Sequence, residues 1–160
     1  MIQRIQTLFL AVIAVAMGVV LSTTIWQKLG VNGESARLTA LYLTHTRTEN
    51  NALSSFSTSS FYIAVLAVLI IGVSVFTIVK YRNRVLQMGL CAVNALLLTG
   101  LMGSVLYQTL YKGKDFFNPA DQGEFTTGFY AIVVALICNM FANRFIRRDE
   151  KLVQESNRLR

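Results

Sequence analysis

Four blocks of apolar residues alternate with polar segments along the chain, and each block is long enough to cross a lipid bilayer. A helix rises about 1.5 Å per residue and needs about 20 apolar residues to cross roughly 30 Å of hydrocarbon. The blocks are apolar all round, without the polar face of a soluble surface helix. They therefore predict four transmembrane helices, at about residues 7–26, 61–79, 85–106 and 128–145.

The polar segments predict how the remainder of the chain is organised. Residues 27–60 and 112–127 form two longer loops, and the charged tail 146–160 lacks helix breakers, so we expect the fourth helix to continue into it. Residues 37–48 alternate only partly, a weak strand pattern, and Ser54–Ser60 is interpreted as a Ser/Thr-rich approach to the second span. The sequence thus predicts one domain, an all-α membrane protein: a four-helix transmembrane bundle with a small, possibly β-containing, extracytoplasmic cap.

Charge is distributed unequally between the two sides of the predicted membrane. The N-terminus, the turn 80–84 and the segment from residue 144 onward carry ten basic residues against three acidic ones, whereas the two longer loops carry five of each. The whole formal charge of +7 therefore lies on one side. The positive-inside rule makes that side cytoplasmic, so we expect both termini inside. Basic inner segments meet anionic headgroups, which accounts for the basic composition without nucleic acid.

Two asparagines within the apolar blocks are candidates for a contact between helices. Asn94 lies ten residues from Arg84, about 15 Å along a helix, near the middle of the membrane. A neutral amide at that depth needs a hydrogen-bond partner across a helix interface, and Asn139 on the fourth span is the expected one. The pair is interpreted as helix–helix adhesion, with a substrate or subunit contact as the alternative.

The third span also carries a stripe of small residues. Their spacings of three and four residues place them on one helical face. Small side chains let two helices approach closely, and helix association in lipid depends on such packing. We expect this face to contact another helix, either within the chain or in a partner protein, through Gly89, Ala92, Ala95, Thr99 and Gly103.

Two segments outside the spans are candidate partner contacts. The rings of Phe116 and Phe117 in the second loop could lie on the membrane, pack on a partner or pack against the first loop. In the tail, Arg147, Arg148 and Lys151 either contact lipid headgroups or dock a partner protein.

Residues for catalysis or metal binding are scarce. No ionisable side chain lies at mid-depth in the spans, which argues against a proton-coupled transporter or an ion pump. His45 is the only histidine, and Cys91 and Cys138 are expected to be buried, reduced thiols inside the membrane. No glycine-rich phosphate-binding motif is present. We therefore expect no catalytic residue, no metal and no cofactor.

The two ends of the chain resemble a known family. The opening Met1-Ile-Gln-Arg-Ile-Gln-Thr7 and the tail from Arg147-Arg-Asp-Glu-Lys-Leu-Val153 to Arg160 are similar to a small bacterial inner-membrane family, a domain of unknown function with four spans. The resemblance implies a multi-pass protein of the bacterial inner membrane. It implies no activity and transfers no functional residue.

These observations favour a non-enzymatic function. We expect an accessory, scaffold or assembly subunit of a larger membrane complex, in contact with the lipid bilayer and with other integral membrane proteins. The alternative is a protein that binds or transports a lipid or a small apolar molecule, with Asn94 and Asn139 lining the site.

Overall fold

The computed structural model describes residues 2–30, 34–49, 52–80, 83–113 and 123–158. Within these ranges four helices lie at α1 Ile2–Ser22, α2 Phe61–Val79, α3 Arg84–Tyr107 and α4 Thr127–Arg158. A short π-helical segment, Gln108–Lys112, continues α3. Five strands lie at β1 Trp26–Leu29, β2 Ser35–Leu38, β3 Tyr42–Glu49, β4 Ala52–Ser59 and β5 Glu124–Phe125.

The five strands form one antiparallel sheet, and the predicted all-α fold class is wrong. The strand order is β4-β3-β2-β1-β5, so the protein combines a helical bundle with a sheet. β3 and β4 pair along their whole length, from Tyr42 opposite Ser59 to Glu49 opposite Ala52. The stretch interpreted as a polar approach to the second span is therefore mostly strand β4. Its polar residues gave no apolar/polar alternation that would have indicated a strand.

The helices pack as an antiparallel bundle in which α1 contacts α4 and α2, and α3 contacts α2 and α4. All four are long and apolar enough to cross a membrane. The sheet follows α1 and precedes α2 and α4, so it lies at one end of the bundle, here called the sheet end. The opposite end, where α1 begins and α4 ends, is called the terminal end.

Aliphatic side chains fill the centre of the bundle, and aromatic rings join α1 to α4 near the terminal end. Leu10, Ile13 and Met17 of α1 are fully buried. Phe9 stacks on Phe141 and Phe145 of α4, with 5.7 Å between ring centroids in both pairs. These contacts fix the antiparallel register of α1 against α4.

Backbone hydrogen bonds hold the sheet on the bundle. The amide of Gly128, in the first turn of α4, donates to Thr24 O at 3.1 Å, and Ile25 N donates to Leu38 O at 2.8 Å. A Cβ at Gly128 would lie 2.8 Å from Thr24 O, so the lack of a side chain permits this approach. On the other side, Ser60 N donates to Leu41 O at 2.8 Å. The sheet is therefore fixed to the start of both α2 and α4.

Helix α1 ends earlier than its apolar block suggests. The block was expected to reach Trp26, but the helix ends at Ser22 and Trp26 begins β1. Ile25 and Trp26 are fully buried at the junction of sheet and bundle. A residue buried between the sheet and the bundle is as apolar as one that faces lipid. Hydrophobicity alone therefore did not separate the end of α1 from the start of β1.

Candidate functional site

A cluster of hydrogen-bonded polar side chains links α2, α3 and α4 inside the bundle. Asn94 Nδ2 donates to Ser74 Oγ at 3.2 Å and to Asn139 Oδ1 at 3.3 Å. Asn139 Nδ2 donates in turn to the backbone oxygen of Cys91 at 3.2 Å. All four residues are buried. The structure thus brings together the two asparagines that the sequence paired, and it adds Ser74 from α2.

One atom of this cluster lacks a partner among the residues that the structure describes. Asn94 Oδ1 accepts no hydrogen bond, although Asn94 is only 1% exposed. A buried polar atom without a partner costs about 1–3 kcal/mol of stability. The cluster therefore joins three helices through hydrogen bonds, and Asn94 Oδ1 is its one acceptor without a partner in the described part of the chain.

Two further glutamines, one on α3 and one on the π-helical segment after it, bond to α2 or to the residue that caps it, and neither was predicted from the sequence. Gln87 Nε2 donates to Thr77 O at 3.0 Å, and Gln108 Nε2 donates to Ser60 Oγ at 2.8 Å. Gln87, Asn94 and Gln108 are separated by 7 and 14 residues, so they lie on one stripe of α3 and the π-helical segment that continues it. This heptad spacing of amides was the signal that could have revealed them. Together they hold α3 to α2 at three levels.

The small-residue stripe of α3 faces away from the other three helices. Gly89, Ala92, Thr99 and Gly103 are exposed and Ala95 is half-buried. A Cβ added at Gly89 or Gly103 would meet nothing within 4 Å. The sequence left open whether this face contacts a helix of the same chain or of a partner protein. No described helix of this chain packs on it, which leaves the partner protein.

A large side chain stands in the middle of this outward face. Leu96 is 74% exposed, and Ala92 and Gly100 lie one turn on either side of it. Glycine at position 100 also leaves open space around its backbone. The surface made by the stripe and Leu96, here called the α3 face, thus has a large exposed side chain with a small residue one turn away on either side. Its relief suits interdigitation with a second helix.

The remaining candidate residues lie apart from the polar cluster. Arg147, Arg148 and Lys151 are exposed on α4 near the terminal end. The guanidinium of Arg147 donates to Asn143 Oδ1, one turn away, at 3.2 Å. Phe116 and Phe117 lie outside the residues that the structure describes.

A buried lysine at the sheet end was also missed. Lys28 is only 1% exposed, and its Nζ donates to Gly113 O at 3.4 Å. Trp26, two residues earlier on the same face of β1, is equally buried, and a Cβ at Gly113 would lie 3.1 Å from its ring. In the sequence, Lys28 is one of five basic residues in the two longer loops and nothing sets it apart. Its position instead connects β1 to the end of the π-helical segment.

Nearly the whole chain matches one protein family. A family model described as a domain of unknown function (DUF4293) matches residues 2–159. The chain belongs to the DUF4293 family. The resemblance to an uncharacterised family is thereby confirmed. A search of curated proteins gives no match. Membership in DUF4293, a domain of unknown function, therefore supplies no activity.

Proposed function

We propose that this protein is a non-enzymatic integral protein of the bacterial inner membrane and an accessory, scaffold or assembly subunit of a larger membrane complex. The observation that carries the proposal is the α3 face, which presents small residues outward where no helix of the described part of the chain packs on them. Small residues promote helix association only where a second helix can approach. The proposal assigns no catalytic residue, cofactor or metal ligand.

The arrangement of charges and aromatic rings supports the membrane placement. Lys80, Arg144, Arg147, Arg148 and Lys151 all belong to the terminal end, which the positive-inside rule assigns to the cytoplasm. Exposed aromatic rings occur at the sheet end, where they suit the membrane–water interface: Phe61, Tyr62, Tyr107, Tyr111 and Tyr130. In this orientation the sheet lies outside the cytoplasm.

The α3 face fits a partner helix better than it fits lipid alone. The apolar stretch Val85–Lys112, which includes α3, is 28% buried within the described chain, against 33% for the apolar stretch of each of the other three helices. Lipid tails can pack beside Leu96 without requiring any particular side chain there. A partner helix, in contrast, gains close backbone contact from Gly89, Ala92 and Gly103. The small residues are thus explained by a neighbouring subunit.

The test enlarges the small residues and examines which proteins remain associated. In the variant Gly103→Leu the new side chain projects into open space, so the fold of the chain is retained. We expect affinity purification from native membranes in mild detergent, followed by mass spectrometry, to recover stoichiometric partners with the wild type and at least about tenfold less with this variant, corresponding to roughly 1.4 kcal/mol. Gly89→Leu is expected to act in the same direction.

Gly72→Leu is the matched control. Gly72 is also an exposed helical glycine with open space around it, but it lies on α2 between the large exposed side chains of Leu69, Val75 and Phe76. We expect this control to keep the wild-type partners. Recovery of the wild-type chain alone, or equal partner loss in both variants, contradicts the subunit proposal.

The lipid- or small-molecule-binding alternative stays a prediction. The observation that favours it is Asn94 Oδ1, which accepts no hydrogen bond from the described residues and is open to a donor group of a ligand. Asn94 Nδ2 already donates two hydrogen bonds within the protein and Asn139 Nδ2 donates one, so the acceptor of Asn94 is the atom that a ligand would contact.

A further inference from the structure

We propose that the exposed face of α4 at the terminal end binds an anionic phospholipid, whose phosphate is held by Arg144, Arg147, Arg148 and Lys151. These four residues follow one another at intervals of three, one and three, so they share one helical face. All four side chains are exposed, and together they line an open cavity of about 380 Å³. The name lipid face is used below for these four residues and the apolar residues that precede them on the same side of α4.

The described lining of this cavity consists of basic side chains and includes no acidic one. Asp149 and Glu150 are half-buried and do not belong to its lining. Glu155 lies on the same face but about one helical turn beyond Lys151. Three guanidinium groups and one ammonium group therefore converge on the cavity. Guanidinium groups bind phosphate oxygens in a bidentate manner, so the ligand chemistry is a phosphate ester.

The apolar part of the lipid face decides between a lipid and a free phosphate. Each arginine of the cluster is preceded by an exposed apolar residue seven positions earlier, which is two helical turns and thus the same side of the helix. These residues are Ile137 before Arg144, Met140 before Arg147 and Phe141 before Arg148. The charged cavity is therefore continuous with an exposed apolar surface that a free phosphate would not use.

The length of this apolar surface matches one leaflet of a bilayer. Val134, which is also exposed, lies ten residues before Arg144, and ten residues of helix span about 15 Å. Half of a hydrocarbon layer of roughly 30 Å has the same thickness. An anionic phospholipid of the cytoplasmic leaflet thus fits with its acyl chains along Val134, Ile137 and Met140 and its phosphate among the basic side chains. This placement depends on the membrane orientation proposed above.

The experiment titrates the purified full-length chain, without partner proteins, with defined lipids in a neutral detergent and counts bound molecules by native mass spectrometry. The probes are phosphatidylglycerol, phosphatidylcholine and inorganic phosphate. We expect the wild type to retain phosphatidylglycerol in preference to phosphatidylcholine. The variant Arg144→Gln/Arg147→Gln/Arg148→Gln is expected to retain phosphatidylglycerol at least about tenfold more weakly, because each basic residue near an anionic headgroup contributes to the attraction.

The matched control removes the same charge from the sheet end. Arg37, Arg47 and Lys112 are exposed there, so Arg37→Gln/Arg47→Gln/Lys112→Gln changes the net charge equally and is expected to leave lipid retention unchanged. Equal weakening in both triple variants, equal retention of the two lipids, or inorganic phosphate displacing phosphatidylglycerol at millimolar concentration would overturn the proposal. The titration contains no partner protein, so its failure is distinct from a failure to find a membrane complex.

Discussion

At the residue scale, the structure requires glycine at position 123 but not at position 72. Gly123 has a φ of +71°, and a Cβ there would lie 2.7 Å from Gln27 O and 2.8 Å from the ring of Trp26. Gly72 lies in the middle of α2 with nothing within 4 Å of an added Cβ. The first glycine is required by the backbone and by the packed indole, whereas the second only lowers helix propensity.

Alanine substitutions at these two positions are expected to change stability with opposite signs. Gly123→Ala combines a left-handed conformation with a steric clash, so it should lower the free energy of unfolding by about 2 kcal/mol or more. Gly72→Ala should raise it by up to about 1 kcal/mol, because alanine is the better helix former. The measurement is thermal or denaturant unfolding in detergent, followed by the fluorescence of the single tryptophan, Trp26. A neutral Gly123→Ala variant would show that the packing around Trp26 is not as described.

Which residues could be found from the sequence depended on how unusual their surroundings are. Asn94 and Asn139 were identified because an amide within an apolar block is costly without a partner. Gln87 and Gln108 lie near the ends of the third block, where a polar residue is ordinary, and they were overlooked. Lys28 could not be identified as buried, since lysine is almost always exposed and only the fold places it beside Trp26.

At the scale of elements, helices and strands differ in how much the sequence could predict. Helix α2, Phe61–Val79, coincides with its apolar block, because a helix that faces lipid and a protein core must be apolar on all sides. Strand β4 does not stand out, since its described side chains from Ser55 to Ser59 are all exposed. Even Phe56 is 61% exposed. A strand that buries neither face lacks the two-residue periodicity by which strands are recognised.

The link between α3 and α4 gives an element-scale prediction. A double-mutant cycle with Asn94→Ala and Asn139→Ala is expected to give a coupling energy between about 0.5 and 1.7 kcal/mol, the range typical of hydrogen bonds between membrane helices. The side chains are in direct contact at 3.3 Å, so their effects should not be additive. Unfolding in detergent mixtures provides the four free energies.

A control cycle uses Asn143, which lies one turn after Asn139 and bonds to Arg147 instead of α3. We expect Asn94→Ala and Asn143→Ala to be additive within about 0.3–0.5 kcal/mol. Additivity in the Asn94–Asn139 cycle as well would mean that the observed hydrogen bond does not hold α3 to α4.

At the scale of the whole molecule, the two ends of the bundle differ in charge and in structure. The sheet end carries strands and exposed aromatic rings, and the terminal end carries exposed basic residues of α4.

Helix α4 also extends beyond its neighbour α3 at the terminal end. It continues from Asn139 to Arg158, whereas α3 begins only ten residues before Asn94, so α4 projects about 14 Å further. The sequence predicted this polarity from charge alone, but it could not predict the size of the sheet.

The proposed orientation is tested most directly by the accessibility of single cysteines to a membrane-impermeant thiol reagent. Both native cysteines, Cys91 and Cys138, are buried, so the wild-type protein should give little background labelling. Ser57→Cys places a thiol on the exposed strand β4, and Glu155→Cys places one on the exposed end of α4. We expect intact spheroplasts to label position 57 and to label position 155 only after permeabilisation. Labelling of position 155 in intact spheroplasts, with position 57 protected, would contradict the proposed orientation.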